Sequence, residues 1–247
     1  MTELLAEIVQ WFAEPDRWSV GHPRGVPYRT LEHLQISTVA TLIAVAIATP
    51  PALWLAHRRR AEAAASAIVN IGRAIPSFGL IVLFWLLATR IPWLGTQFWP
   101  LVAALVALAL PPIFTNTYTA IREVDRFTIE AGRGMGLTER QILSRVEVPL
   151  AAPVIAAGVR LAYVQVIATT AIGAIVTNGG GLGRYIVDGF ATGRAGRPAV
   201  LAGALLLATL TLLVEGMLWL LERRVIPPGV RGRPATGAAA AHTGAAG

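Results

Sequence analysis

The sequence contains no cysteine and no lysine, and only 14% of its 247 residues are charged. The absence of cysteine excludes disulfide bonds, thiolate catalysis and cysteine-ligated zinc. A soluble domain carries charge on about a quarter of its residues, whereas 55% of the residues in this chain are hydrophobic. The composition therefore predicts an integral membrane protein.

The sequence also shows no pattern typical of a catalytic or metal site. The four histidines, His22, His33, His57 and His242, are scattered along the chain, and no pair has the spacing of metal ligands. The GGGLG stretch at 179–183 lacks the GxxxxGK[ST] spacing of a phosphate-binding loop. We therefore expect no catalytic residue, no metal and no cofactor.

The N-terminal segment has no basic run, so we do not expect a cleavable signal peptide. Its apolar residues recur at helical spacing, which predicts a short amphipathic helix lying at the membrane interface within a leader at 1–30. A poorly ordered leader is the alternative. The apolar residues are Leu4, Leu5, Ile8, Trp11 and Phe12.

Five stretches are long and apolar enough to cross about 30 Å of hydrocarbon, which takes about 20 helical residues. They lie at 34–56, about 66–89, about 98–119, about 151–176 and 198–221. We expect prolines to interrupt the first three, at 50–51, 76 and 111–112. The pattern predicts an all-α domain of five transmembrane helices at 31–226, with a disordered tail at 227–247.

The distribution of arginine predicts the orientation of these helices. Twelve arginines lie in the segments after spans one, three and five, and seven lie on the other side. Because cytoplasmic loops carry an excess of basic residues, we expect the N-terminus outside the cell and the C-terminus in the cytoplasm. The segment 123–149 would then also be cytoplasmic.

The segment 123–149 is charged, although the chain on either side is almost purely apolar. Asp125 is predicted to cap a first helix that Gly136 ends. Thr138 and Gln141 have the spacing of a capping box for a second helix. We expect that second helix to end at Pro149.

Three interpretations of this segment compete. A solvated connector would need fewer than its thirty or so residues, and a DNA-binding helix-turn-helix would be hindered by its attachment to the membrane at both ends. A docking element for a cytoplasmic partner fits best, since apolar residues are rimmed by Glu130 and several arginines. The apolar residues are Phe127, Ile129, Ala131, Met135 and Leu137.

The same segment resembles the signature of permease subunits of binding-protein-dependent ABC importers. That signature reads Glu-Ala-Ala, three residues, Gly, nine residues and Ile-x-Leu-Pro. Glycine replaces the second alanine, and valine replaces both isoleucine and leucine, which are small or apolar changes. The matching positions are Glu130, Ala131, Gly132, Gly136, Val146, Val148 and Pro149.

The resemblance covers roughly residues 28–226, and several stretches are similar to permeases that import glycine betaine, choline, carnitine and related osmoprotectants. They include EHLQIST at 32–38, AIPSFGL at 74–80, NTYTAIREVD at 116–125 and GGGLGRYI at 179–186. Permeases for methionine or phosphonate share a similar five-span core and remain alternatives. A secondary carrier that needs no ATP is the alternative from a different class.

The resemblance implies a bacterial inner-membrane permease that is not itself an enzyme. Its partners would be two ABC ATPase subunits, a second permease copy or a homologous permease, an extracytoplasmic substrate-binding protein and membrane lipid, with no nucleic acid. The first helix of the charged segment would fit into the ATPase. ATP-driven closure of the ATPase dimer would then drive alternating access.

Polar residues within the predicted spans are candidates for the translocation path, although hydrogen bonds between helices are an equally good explanation for each. They are Asn70, Ser77, Asn116, Gln165 and Thr169. By family resemblance, a flexible Gly-rich turn would lie near the outer gate and the docked binding protein. It contains Gly179, Gly180, Gly181 and Gly183. Arg160, inside span four, is expected to extend its guanidinium towards the cytoplasmic interface.

Overall fold

The computed structural model describes residues 2–60, 67, 74 and 76–225, and all regular structure within these residues is helical. The α-helices are α1 (Thr2–Ala13), α2 (Val26–His57), α3 (Ser77–Ala88), α4 (Phe98–Arg122), α5 (Arg126–Gly134), α6 (Glu139–Ile142), α7 (Val148–Thr177), α8 (Gly183–Ala191) and α9 (Arg197–Val225). A π-helical turn, Leu143–Glu147, joins α6 to α7. Short 3-10 turns lie at Pro15–Trp18, Pro92–Leu94 and Gly193–Gly196.

Four helical segments of the described residues are long and apolar enough to cross a membrane. They are Val26–His57, Phe98–Arg122, Glu139–Thr177 and Gly193–Arg224. The fold is therefore all-helical with several membrane-capable helices, as predicted. The second predicted span is described mainly by α3, which has 12 residues, so its crossing stays a prediction. Asn70 and the predicted tail at 227–247 lie outside the described residues.

Helix α4 lies at the centre of the bundle, packed between α2 and α7. Its side chains Leu101, Leu105, Ile113 and Ile121 are almost completely buried. The facing stripe of α2 consists of alanines spaced by four residues, which places them on one side of the helix. Small residues let two helices approach closely within a membrane. These buried alanines are Ala40, Ala44, Ala48, Ala52 and Ala56.

Two glycines of α7 permit a similar close approach to α4. A Cβ atom at Gly158 would lie 2.9 Å from Cγ of Asn116, and one at Gly173 would lie 2.7 Å from Cδ2 of Leu101. Real Cβ atoms essentially never lie this close to another atom. The close spacing between α4 and α7 therefore depends on glycine, which has no side chain, at positions 158 and 173.

The proline pairs do not interrupt their helices, so that expectation was wrong for spans one and three. Helix α2 continues through Pro50 and Pro51, and α4 continues through Pro111 and Pro112. A helix in a packed membrane bundle tolerates the missing hydrogen bonds because neighbouring groups compensate for them.

The charged segment 123–149, which we call the connector, has a second helix that also continues past Pro149, so the predicted end at Pro149 was wrong. The chain is helical from Glu139 to Thr177. The amide N–H of Val148 donates to the carbonyl of Leu143, five residues back. The π turn thus shifts the hydrogen-bond register immediately before the proline, where an α-helix would otherwise lose a donor.

We predict that Gly158→Ala lowers the thermal unfolding midpoint of the purified protein in detergent. The added methyl group would overpack the contact with Asn116, a change that typically costs about 1–3 kcal/mol. Gly216→Ala is the matched control, since no heavy atom lies within 4 Å of its Cβ position. The control should leave the midpoint unchanged or raise it slightly, and equal midpoints for both variants would contradict the proposed packing.

Candidate functional site

The connector between α4 and α7 begins with a capped helix, as its sequence predicts. The carboxylate of Asp125 accepts hydrogen bonds from the backbone N–H of Thr128, at 3.0 Å, and from its hydroxyl group, at 2.9 Å. These bonds, the backbone one above all, hold the pKa of Asp125 below its ordinary value. Helix α5 then ends before Gly136, whose φ of 83° lies in the left-handed region.

The second connector helix begins with the predicted capping box. The backbone N–H of Thr138 donates to Oε1 of Gln141 at 2.8 Å, and the N–H of Gln141 donates to Oγ1 of Thr138 at 3.4 Å. Both helix starts are therefore fixed by bonds between residues three positions apart, which explains why the sequence alone predicted them.

Helix α5 has one buried face and one exposed face. Gly132 faces the rest of the connector, where a Cβ atom would lie 3.5 Å from Leu137 and 3.9 Å from Val146, in ordinary van der Waals contact. Ile129 is also buried, at 4% exposure. The prediction that Ile129 belongs to a docking surface was therefore wrong, because this side chain packs into the protein core.

The opposite face of α5 is open. Phe127 is 81% exposed and Met135 is 75% exposed, which is unusual for large apolar side chains at the polar end of a bundle. Glu130 and Ala131 of the signature are exposed as well. The exposed signature residues and the two apolar side chains thus form a surface that no described part of this chain covers.

An ion pair joins the end of α5 to the start of α6. Nε of Arg133 lies 2.8 Å from Oε1 of Glu139, and a second guanidinium nitrogen lies 3.1 Å from Oε2 of the same carboxylate. The hydrogen bonds to Glu139 raise the pKa of Arg133 above its usual range. Because the two side chains are about half exposed, the pair chiefly orients the turn between the helices.

Beneath this pair lies a buried contact that sequence reasoning did not predict. Nδ1 of His57, at the end of α2, lies 2.5 Å from Oε2 of Glu147, and Nε2 lies 3.2 Å from Oε2 of Glu139. Glu147 is 3% exposed and occupies the unspecified position of the signature. His57 and Glu147 are 90 residues apart, so no local sequence signal links them.

A cleft of about 570 Å³ opens between the end of α2 and the connector. Trp54, His57, Ile129 and Leu143 are among its lining residues, together with charged side chains of both signs. These are Arg58, Arg59, Arg126, Arg133 and Arg140 with Glu130, Glu139 and Glu147. The surface around α5 therefore combines exposed apolar side chains with surrounding charged side chains. Protein–protein interfaces commonly have this arrangement, with an apolar centre and a polar rim.

The remaining signature residues lie at the end of the connector, where the π turn leads into α7. Val146 and Val148 are half-buried, and Pro149 is exposed at the start of α7. Ile142, next to them, is completely buried. The apolar half of the signature therefore holds α5 in place, and the Glu130 end carries the open surface.

The Gly-rich turn between α7 and α8 is tightly packed, and its predicted flexibility stays a prediction. Gly179, Gly180, Gly181 and Gly183 are all buried. Gly180 and Gly181 have φ values of 95° and 55°. A Cβ atom at Gly181 would lie 2.7 Å from Cα of His33, so the turn rests directly on the N-terminal part of α2.

A polar contact between α2 and α7 supports the same turn and was also missed from the sequence. His33 is completely buried, and its Nε2 lies 2.9 Å from the carbonyl oxygen of Ile167. One turn further, the hydroxyl groups of Ser37 and Thr170 lie 3.0 Å apart. These bonds fix α2 against α7 where the glycines pack.

The described candidate path residues lie on three different helices, α3, α4 and α7. Asn116 donates to the carbonyl of Pro112 at 2.7 Å, and Thr169 donates to the carbonyl of Gln165 at 2.8 Å, so both bond within their own helices. Gln165 is exposed on α7, and Ser77 is the half-buried first residue of α3. Their role in a path stays a prediction.

Arg160 has a partner that the sequence did not reveal. Its Nε lies 3.5 Å from Oε2 of Glu222 near the end of α9. This contact joins α7 to α9, and the extension of Arg160 towards the interface stays a prediction. An intramembrane charge is costly unless it is paired, and the pair explains why Arg160 is tolerated.

Comparison with known proteins identifies the class to which the chain belongs. Residues 40–227 match the family described as the binding-protein-dependent transport system inner membrane component. This match covers more than half of the chain, and the protein belongs to this family. It is a permease subunit of a bacterial ABC importer: it passes through the inner membrane several times, and ATP hydrolysis takes place on a separate subunit.

Individual relatives and structures agree with this assignment. The choline transport system permease protein OpuBB of Bacillus subtilis (strain 168) is 34% identical over 205 residues, covering 83% of this chain and 90% of that protein. The carnitine transport permease protein OpuCB of Listeria monocytogenes is 36% identical over 203 residues, covering 82% and 89%. A chain of the inward-facing MetNI methionine ABC transporter matches with a TM-score of 0.71 at 26% identity, covering 87% of this chain and 100% of that chain. The resemblance stated from the signature is confirmed.

We predict that Gly181→Ala lowers the thermal unfolding midpoint and the uptake rate. Its positive φ disfavours any side chain by about 1–2 kcal/mol, and the methyl group would collide with the backbone of His33. Gly179→Ala is the control within the same turn, since its Cβ position lies 3.5 Å from the nearest atom and its φ is not positive. Equal losses in the two variants would contradict this account of the turn.

Proposed function

We propose that the protein imports a quaternary ammonium osmoprotectant of the choline, glycine betaine or carnitine type. The observation that carries this proposal is the similarity to permeases named for these solutes, at 33–36% identity over most of both chains. A separate ATPase would drive alternating access, in which outward-facing and inward-facing packings of the helices alternate.

The predicted topology is part of the same proposal. Five transmembrane helices would place the N-terminus outside and both the connector and the C-terminus in the cytoplasm. The arginines at the end of α2 and in the connector support this orientation. Three domains follow: an interfacial leader at 1–30, with α1 as its helix, a permease domain at 31–226 and a tail at 227–247.

Helix α5 would be the coupling helix that enters the ATPase. Support comes from its open face, where Phe127, Glu130 and Met135 are exposed, and from the packing of Gly132 and Ile129 that holds the helix in place. Large apolar side chains at the centre and charges at the rim are the usual arrangement of a protein interface.

The complete importer would contain two ATPase subunits, two permeases and an extracytoplasmic binding protein. Many large apolar side chains of α9 are exposed. This exposure is the argument that a second permease or lipid lies beside α9. A two-fold arrangement of permeases would place the path between them. The exposed side chains include Leu205, Leu212, Leu213, Met217 and Leu220.

The Gly-rich turn, from Gly179 to Gly183, would form part of the outer gate. Because it packs on α2 through Gly181 and His33, a relative movement of α2 and α7 would necessarily displace it. The polar residues Ser77, Asn116, Gln165 and Thr169, and Asn70 outside the described residues, are the proposed path. Their separation over α3, α4 and α7 fits a path that several helices line.

Methionine import is the second candidate, because the matching structure belongs to a methionine transporter. Its sequence identity of 26% is lower than the 34% and 36% of the choline and carnitine permeases. The structural similarity therefore indicates the shared fold more than the solute.

The solute is tested by uptake in cells that express this permease with its ATPase and binding protein. We expect labelled choline, glycine betaine or carnitine to accumulate, and methionine to be left outside. Accumulation of methionine alone would overturn the proposed solute class. Uptake by the purified permease in liposomes without ATPase or ATP would instead favour a secondary carrier.

Docking of α5 is tested by Glu130→Lys and Gly136→Trp. We expect both variants to insert normally but to co-purify less ATPase and to lose the link between ATP hydrolysis and uptake. Glu130 lies on α5, and Gly136 lies in the open turn that follows it. Because Gly136 has a positive φ, the membrane level of the Gly136→Trp variant is measured as well. Asp16→Lys, an exposed position in the N-terminal leader, is the charge-matched control and should retain the ATPase. Normal uptake in both connector variants at normal membrane levels would refute the docking role.

A further inference from the structure

Four charged or titratable side chains form a continuous chain of contacts between three parts of the cytoplasmic end. Arg133 of α5 binds Glu139 of α6, Glu139 contacts His57 of α2, and His57 contacts Glu147 of the π turn. The separations are 2.8, 3.2 and 2.5 Å. We call these four residues the clasp.

The inner half of the clasp is buried, and the outer half is open to solvent. The side chains of His57 and Glu147 are 8% and 4% exposed, whereas those of Glu139 and Arg133 are 58% and 50% exposed. One ring nitrogen of His57 faces each of the two carboxylates. Removing one partner of a buried polar contact costs more than removing one partner of an exposed contact, because the buried group that remains has lost both water and its partner.

The clasp links the end of α2 to α6 and to the π turn, in addition to the polar contacts that join α2 to α7 near His33 and Ser37. Helix α5 follows α4 in sequence and lies beside α6, whereas α2 is separated from it by α3 and α4. The hydroxyl of Tyr118 in α4 donates to the carbonyl of Arg60 at 3.0 Å, which fixes the neighbouring end of α2 to α4. Movement of α5 can therefore reach α2 through His57 without passing through the bilayer.

Glu147 is the last residue of the π turn, directly before the first residue of α7. A contact made by Glu147 therefore acts on the start of α7. A π turn inside an α-helix is uncommon and often marks a functional site. Here it lies between the capped start of α6 and the membrane helix α7. Within the described residues, no group of His, Asp and Glu side chains is arranged to hold a metal ion.

We propose that His57 and Glu147 are positioning residues that transmit the movement of the coupling helix to α2 and α7 and hold these two helices together through the transport cycle. This inference rests on the proposed docking of an ATPase on α5. It concerns a step after docking, since neither side chain belongs to the exposed face of α5.

The first test uses His57→Gln and Glu147→Gln in the complete importer. We expect ATPase co-purification to be retained and ATP hydrolysis to continue, while solute uptake falls about tenfold, equivalent to about 1.4 kcal/mol of lost coupling. The double variant should be no worse than either single variant, because both remove the same contact. His22→Gln, an exposed histidine in the N-terminal leader, is the matched control and should transport normally.

A second test does not depend on the stability of the single variants. The chain has no cysteine, so His57→Cys with Glu147→Cys provides two unique thiols. A short bis-methanethiosulfonate linker between them should restore uptake that the unlinked double variant has lost, and reduction should abolish it again.

The outcomes separate the two proposals. Loss of ATPase binding in the Glu130→Lys variant would support the docking proposal. Normal uptake per ATP hydrolysed in the His57→Gln and Glu147→Gln variants would overturn the proposed role of the clasp, whatever the result for docking. Failure of the linked double variant to transport would overturn the clasp as well. Failure of the unaltered importer to bind an ATPase through α5 would instead overturn the proposed docking.

Discussion

The rest of the structure depends on one constraint: charged side chains and unpaired backbone groups cannot remain in hydrocarbon. The helical segment Glu139–Thr177 has 39 residues, which gives a length of about 58 Å at 1.5 Å per residue. The hydrocarbon core is only about 30 Å thick. The segment is therefore longer than a single crossing of the bilayer requires, and its polar end contacts α5. The same constraint explains why Arg160 is paired with Glu222.

Within the bilayer, close packing replaces the hydrophobic effect as the source of specificity. The alanines of α2 and the glycines of α7 let both helices lie directly against α4, and the Gly-rich turn extends this packing to the N-terminal part of α2. A bundle packed in this way behaves as a set of discrete arrangements. In the proposed mechanism, the ATPase would drive alternating access through the polar connector.

The sequence predicted the features that depend on neighbouring residues. The caps at Asp125 and Thr138 were correct because their partners lie three residues away, and the long apolar helices follow from composition. Features that depend on distant residues were missed: Glu147 meets His57 across 90 residues, and the burial of Ile129 follows from packing within the folded connector. The end predicted at Pro149 failed because a π turn changed the hydrogen-bond register, which no local rule signals.

The most direct test of this account is the accessibility of single thiols in the otherwise cysteine-free chain. Phe127→Cys on α5 and Phe190→Cys on α8 replace side chains that are 81% and 71% exposed. With a membrane-impermeant maleimide, we expect Phe190→Cys to react in intact cells and Phe127→Cys to react only in inside-out vesicles from which the ATPase has been removed. Reaction of Phe127→Cys in intact cells, or equal reaction with and without bound ATPase, would contradict a cytoplasmic connector that an ATPase covers.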